Sequence, residues 1–266
     1  MVMGIPANIM DIFNMRWLTD AVFPPKCLKC GTFLIVEDAL QVDQLSQYFC
    51  QSCFKIQEGC NTATASNQYS FNTDVSHNFK SDIDHLSYCP IDVKASSNYD
   101  GIIKESIHLL KYNGKTALAD PLGLLLFHIF IRYYANKPVD FIVPIPLYRW
   151  RLMKRGFNQS FLLVRNFRKY WLQWKGICPA WQIAPDILVR QRNTKSQTGF
   201  NREERRENIR GAFAVRKKDV VKKRLKGKHI VIVDDVHTTG ATTTEAGKTL
   251  LEAGASSVGV IVLARA

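Results

Sequence analysis

Long apolar runs are scarce: the most apolar stretch, Pro121 to Ile131, is short for a span and contains His128, so no transmembrane helix is expected. The first residues, Met1 to Phe23, are only patchily apolar and carry Asp11, Arg16 and Asp20. The continuous core of a signal peptide is therefore missing, and the segment is expected to be retained. Internal repeats are not visible, and no helix-turn-helix pattern marks a transcriptional regulator. A disulfide framework is disfavoured as well, because the seven cysteines are odd in number and four of them form two C-x-x-C pairs, a usage that suits a reducing compartment. A soluble, cytoplasmic protein without a transmembrane segment is expected.

Acidic charge is scarce beyond the first third. Residues 1–98 hold 6 Lys and Arg against 10 Asp and Glu, a net −4, whereas the whole chain is +13, so the remainder carries +17. That asymmetry puts an anion-binding surface in the C-terminal part, for a phosphate ligand or for a nucleic acid backbone. Composition divides the chain into three zones: a cysteine-bearing head over 1–60, a polar linker or surface excursion over 61–98, and a regular domain over 99–266. Residues 61–82 contain 14 Ser, Thr, Asn, Asp or Gln out of 22 and show no helical or strand period.

From Tyr99 the pattern turns helical, with Ile102, Ile103, Ile107 and Leu110 on one face and a second apolar helix between Leu122 and Tyr134. The apolar run Val139 to Val143 predicts a strand that stops at Pro144 and Pro146, which cannot donate to a ladder. A helix from Gln159 to about Trp174 and strands at Ile187 to Val189 and Ala212 to Val215 follow. The clearest unit comes last: a strand His229 to Val233, a turn, a helix Thr242 to Ala253 stopped by Gly254, and a strand Val258 to Leu263. Strands this apolar belong in a parallel sheet covered on both faces, so the fold class is α/β.

Between those last two strands lies the strongest chemical signal, Ile230-Val231-Ile232-Val233-Asp234-Asp235-Val236-His237-Thr238-Thr239-Gly240-Ala241-Thr242. Ligands of open α/β sheets bind beyond the carboxyl ends of the strands, where Asp234 and Asp235 fall. Two adjacent carboxylates accept hydrogen bonds from a vicinal diol. The turn Thr238, Thr239, Gly240, Ala241, Thr242 offers backbone N–H groups, hydroxyls and a glycine at a helix N-terminus, a cradle for a phosphomonoester. A diol site beside a phosphate cradle describes a ribose 5-phosphate. The plainer reading makes Asp235 a turn residue and Thr239 or Thr242 a helix cap.

The segment resembles the phosphoribosyl pyrophosphate motif of type I phosphoribosyltransferases, four apolar residues followed by Asp-Asp and Thr-Thr-Gly-x-Thr. Within that superfamily the chain is similar to the ComF family, competence-associated phosphoribosyltransferase-like proteins with an N-terminal zinc finger. The narrower resemblance rests on Tyr99-Asp100-Gly101, Leu110-Lys111-Tyr112, Val143 to Leu147, Arg155 to Ser160, Arg190, Gln197, Arg205 and Asn208 to Phe213. It implies a type I phosphoribosyltransferase-like parallel sheet flanked by helices, with a small N-terminal four-cysteine module. It also implies phosphoribosyl pyrophosphate with Mg2+ as ligand, and a mouth containing the loop after Pro144 and Arg155. Arg149, Arg151, Lys154 and Arg155 could meet the pyrophosphate; a solvated basic face is the alternative. As an enzyme, such a protein would displace pyrophosphate from the ribose with a nitrogen nucleophile, Asp234 and Asp235 holding the sugar hydroxyls. The other possibility is a binding module that senses the ligand or adapts uptake proteins, and no acceptor-reading residues are identifiable.

The head reads independently. Cys27 and Cys30 are separated from Cys50 and Cys53 by the spacing of a closed, structural zinc site, two knuckles completing one tetrahedron. A dithiol redox pair or free buried cysteines are the competing readings, and His85 is a weak rival ligand. Cys60, Cys89 and Cys178 are left over. Relatives often carry a third cysteine pair, which makes Cys60 and Cys89 of interest as substitutes. Finally, residues 216–228 hold eight basic residues of thirteen. Such a run could hold single-stranded DNA, with Trp150, Tyr170, Trp171, Trp174 and Trp181 as stacking faces, or be merely a solvated connection. The resemblance implies a partner in the competence machinery at the inner face of the membrane, handling incoming DNA.

Overall fold

In the computed structural model, which describes residues 26–32, 48–50, 92–194, 202–216 and 218–266, five strands form one parallel sheet. The elements run β1 (Val93–Asn98), α1 (Gly101–Tyr112), α2 (Ala119–Tyr134), β2 (Phe141–Pro144), α3 (Arg149–Arg155), α4 (Gln159–Val164), α5 (Phe167–Lys175), β3 (Gln182–Ile183), β4 (Leu188–Arg190), α6 (Arg202–Ile209), β5 (Phe213–Val215), α7 (Lys218–Leu225), β6 (His229–His237), α8 (Ala241–Glu252) and β7 (Ser257–Arg265). Strand order is β1-β7-β6-β2-β3, with every neighbouring pair parallel, and β4 with β5 makes a separate antiparallel ribbon. The chain divides into a unit Met1–Thr64, which contains the two cysteine pairs, and a unit Ala65–Ala266, which contains the sheet.

Burial explains why the strands are so apolar. Ile230, Val231, Ile232 and Val233 are each no more than 1% exposed, so both faces of β6 are covered. Ile230 and Ile232 share one cluster with Leu250 of α8 and with Ile187 and Phe213 around the ribbon. Helices α2 and α4 cover the other face, Leu122, Leu126 and Phe130 having no exposed surface. Each such side chain contributes about 1.5–3 kcal/mol by leaving water. The two helices approach closely because Gly123 has no side chain; a Cβ there would run into the Leu163 carbonyl. The segment Thr116–Tyr134 is long and apolar enough to cross a membrane by length and composition, but half of it is buried within the fold, as a core helix is.

Several expectations are corrected. The sheet begins at Val93, inside the stretch expected to be linker: Val93–Asn98 pairs in parallel with β7. The single helix expected from Gln159 is two, interrupted at Arg165 and Asn166, whose side chains both bond Asp120 Oδ1, at 2.9 and 2.8 Å. Strand β6 does not stop at Val233 but pairs with β7 as far as His237, so Asp234 and Asp235 lie within the sheet's last rungs. The acidic pair is therefore buried rather than projecting beyond the sheet, at 8% and 4% exposure. The aromatic residues do not share one stacking surface either. Trp171 and Trp181 belong to an edge-to-face cluster with Phe130 and are buried, while Trp150 and Trp174 are exposed. The basic run is no bare connection: it includes helix α7. Within it Arg224 reaches Asp186 at 3.4 Å and covers the Phe141 ring, and Lys228 pairs with Asp140 at 2.8 Å.

Candidate functional site

At the carboxyl end of the sheet a cleft of about 490 Å3 opens over β6. Its floor is the acidic pair, and each carboxylate is held by a different element. Asp234 Oδ1 accepts from the Ser160 hydroxyl at 3.1 Å and from the Asp235 backbone N–H at 2.9 Å. Ser160 is delivered by the start of α4, where the Asn158 side chain caps its N–H and donates to the Ile145 carbonyl at 3.0 Å, stapling the loop after β2 to the helix. Asp235 Oδ1 pairs with Lys111 Nζ at 2.7 Å, from the last turn of α1. Asp235 Oδ2 is buried and has no hydrogen-bond partner among the described residues, which leaves one acceptor for a hydroxyl.

The electrostatics follow from that geometry. Burial first, and then the neighbouring Asp235 charge, push the Asp234 carboxyl up to about 7. Burial opposes the Lys111 charge, but the Asp235 carboxylate outweighs it and holds the ammonium above its ordinary value. One ammonium thus neutralises one carboxylate while the second is poised between its two forms near neutral pH. Such a floor offers both an acceptor and, when protonated, a donor to a diol.

One wall is the turn between β6 and α8. Gly240 takes φ +77 and immediately precedes the first turn of α8. A side chain there would be strained and would meet the His237 ring, whose Cε1 would be 2.9 Å from the added carbon. Thr238, Gly240, Ala241 and Thr242 line the cleft at the N-terminal end of a twelve-residue helix, a position that suits an anion. Thr239, expected in the same cradle, does not line it; its hydroxyl is buried without a hydrogen-bond partner among the described residues. His237 and Thr243 line it instead, with His237 Nδ1 and the Thr243 hydroxyl 3.4 Å apart. Burial and then the Arg265 charge lower the His237 pKa.

The opposite wall is basic. Of the four basic residues expected near a pyrophosphate, Arg151 and Arg155, one turn apart on α3, line the cleft, whereas Arg149 and Lys154 are exposed outside it. Arg155 donates to Gln159 Oε1 at 2.5 Å and lies over the Tyr112 ring. Arg190 and Arg205 also line the cleft. Gln197 falls outside the described residues.

Comparison with known proteins gives this cleft a context. The family described as phosphoribosyl transferase domain matches residues 183–266. The chain is 35% identical over 164 residues to DNA utilization protein YhgH of Escherichia coli O157:H7, a match covering 60% of this chain and 65% of that protein. It is 33% identical over 174 residues to the same-named protein of Escherichia coli K12, covering 64% and 70%. Competence protein F of Haemophilus influenzae is 33% identical over 135 residues, covering 51% of this chain and 54% of the relative. The chain belongs to the ComF family. The phosphoribosyl transferase domain match of this chain takes in the β6–α8 turn that lines the cleft, and the relatives carry names of competence and DNA utilization.

In the head of this ComF family member, Cys27, Cys30 and Cys50 bring their sulfurs within 4.8 Å of one another. Cys30 and Cys50 sulfurs are 3.6 Å apart. The knuckle is tied by Cys27 N–H to the Thr32 carbonyl and Leu28 N–H to the Tyr48 carbonyl. The Thr32 hydroxyl, 3.2 Å from the Cys30 sulfur, is the first cause holding that thiol down to about 6. Three converging sulfurs, those of Cys27 and Cys30 held below the ordinary thiol value, fit a thiolate-bound metal. Cys53, Cys60, Cys89 and His85 lie outside the described residues, and Cys178 is exposed in the sheet-bearing unit with Arg168 at 3.9 Å.

Proposed function

We propose that the chain binds phosphoribosyl pyrophosphate in this cleft and serves DNA uptake or utilisation in the cytoplasm. The observation that carries the reading is the joint placement, in one cleft, of a buried acidic pair with an unfilled acceptor, a glycine turn opening a helix, and arginines on the facing wall. The β6–α8 turn would receive the 5-phosphate and Asp234 and Asp235 the ribose hydroxyls. Mg2+, bound largely by the ligand's own phosphates, would screen the pyrophosphate charge. In pentosyl transfer the protein's part would be to fix the sugar and stabilise charge as pyrophosphate departs, with no base supplied by the motif.

Titration calorimetry with phosphoribosyl pyrophosphate and Mg2+ tests binding, and pyrophosphate release across bases, amines and single-stranded DNA separates transfer from binding alone. No heat of binding would sink the reading; binding without release makes the protein a ligand-sensing module. Single-stranded DNA is the proposed macromolecular partner, supported by the +17 balance of residues 99–266 and by the names of the relatives. For the head we propose one structural zinc held by Cys27, Cys30, Cys50 and Cys53. Elemental analysis should give one zinc per chain, and Cys50→Ser should lose it and lower the Tm; retained zinc with an unchanged Tm would refute the ligand set.

A further inference from the structure

Among the described residues the fold leaves eight large apolar side chains exposed; five belong to α1, α3 and α4, the helices that line the cleft, and three fall within six residues at the end of α5. The three are Leu172, Trp174 and Ile177, with 48%, 46% and 64% of their surface in water. The pattern of α5 explains the exposure. Phe167 and Trp171, one turn apart, fill the core against Phe127 and Phe130, so the face that carries Arg168, Leu172 and Lys175 turns to solvent. Gly176, at φ +71, then ends the helix just before Ile177. The chain goes on into β3, whose first residue Gln182 pairs with Phe141 at the start of β2. This corner therefore lies at the amino end of the sheet, away from the cleft. Its charge is of one sign. Residues 141–185 hold eight Lys and Arg and no Asp or Glu. Arg168, Lys169 and Lys175 are exposed and form no ion pair among the described residues.

Such a corner fits an anionic surface, and its apolar residues select which kind. Bases of single-stranded DNA stack on open aromatic faces. Leu172 and Ile177 offer none. The Trp174 ring is already engaged, with the Lys175 ammonium 4.5 Å from its centroid and Trp171 meeting it edge to face at 5.4 Å. Aliphatic side chains beside a tryptophan, set among lysines and arginines, gain instead by entering the boundary between lipid headgroups and acyl chains, where the indole N–H stays wet and the cations meet lipid phosphates. We infer that the α5 corner is a peripheral membrane-binding surface, which seats Leu172, Trp174 and Ile177 in an anionic bilayer and leaves the cleft, at the other end of the sheet, open to water. No residue of the cleft takes part, so the inference stands apart from the ribose 5-phosphate reading.

The full chain is floated with vesicles of phosphatidylglycerol and phosphatidylcholine in equal parts and, separately, with vesicles of phosphatidylcholine alone. It should float with the anionic vesicles and far less with the neutral ones, and the bound fraction should fall as salt is added. Lys169→Gln with Lys175→Gln should weaken binding to anionic vesicles by about twenty-fivefold, about fivefold for each cation removed. Leu172→Ser with Ile177→Ser should weaken it by about tenfold or more. All four positions are exposed, so an unchanged Tm in both double variants reports intact folding. The apolar pair should also keep its affinity for a single-stranded oligonucleotide, read by fluorescence anisotropy, within about twofold of wild type. Equal flotation with neutral vesicles, no flotation with anionic ones, or flotation that ignores either double variant overturns the inference. So does an apolar pair that loses the oligonucleotide and keeps the vesicles, which would make the corner a nucleic acid surface.

Discussion

The two walls of the cleft are built in opposite ways. The β6–α8 wall is one contiguous stretch, Asp234 to Thr243, whose strand, turn and helix follow each other without interruption. The facing wall is assembled from Lys111 of α1, Arg151 and Arg155 of α3 and Arg190 of β4, residues that only the fold brings together. The contiguous wall carries the turn and the acidic pair, whereas the assembled wall supplies the site's positive charge. Substitutions can separate those roles.

The largest effect is expected from Asp234→Asn combined with Asp235→Asn. Amides can still meet sugar hydroxyls but give up charge-assisted bonds, about 2–4 kcal/mol together, or roughly thirty- to a thousandfold in affinity for phosphoribosyl pyrophosphate. Calorimetry measures it, and undiminished binding would remove the diol role. The fold will not be indifferent, because the pair is buried. Asp235→Asn alone strands the Lys111 ammonium, 20% exposed, and should destabilise by about 2–3 kcal/mol in urea unfolding. Lys111→Met in the same chain should recover most of that loss; if it does not, the ion pair is incidental.

Asp234 sharpens the comparison through pH. Its folded value of about 7 lies above the ordinary 3.8, so between these values the folded state holds a proton that the unfolded state has released. Stability from this group is therefore complete below about pH 4 and is lost as pH rises to about 7, on the order of 4 kcal/mol in all. Asp234→Asn should flatten that decline. An unchanged pH dependence would mean that Asp234 is ionised throughout. The smallest effect is expected at Thr239, whose buried hydroxyl has no hydrogen-bond partner among the described residues. Thr239→Val should leave ligand affinity unchanged and stabilise the fold by up to about 1 kcal/mol. Loss of ligand affinity would return Thr239 to the cradle.

What could be read in the sequence tracks that same division. Asp234, Asp235 and Gly240 were legible because the motif places strand, acid and turn at fixed offsets, and Arg155 through its own short segment. Lys111 was visible as part of a resemblance, but nothing local says that its ammonium meets Asp235. His237 gave no signal, since a histidine at a strand end is ordinary. Strand β1 was hidden because Val-Lys-Ala-Ser-Ser-Asn is too polar to show the buried-strand pattern, and an edge strand needs only one well-covered side. The tryptophans misled for the converse reason: composition counts aromatics without saying that Trp171 and Trp181 fill the core. The break after α4 depends on Asp120, far away in the chain, collecting two side chains.

Strand β1 has a mechanical consequence. It runs parallel to β7, with Val93 opposite Val260 and Asn98 opposite Arg265. The chain therefore enters the sheet at one end of this pair and leaves β7 at the other. Tension applied between residue 92 and residue 266 loads the β1–β7 ladder in shear, so its hydrogen bonds must break together and cannot be peeled one at a time. Pulled by these two ends, the domain should resist force far better than when pulled across the sheet, with the rupture rate set by the unfolding barrier and not by equilibrium stability.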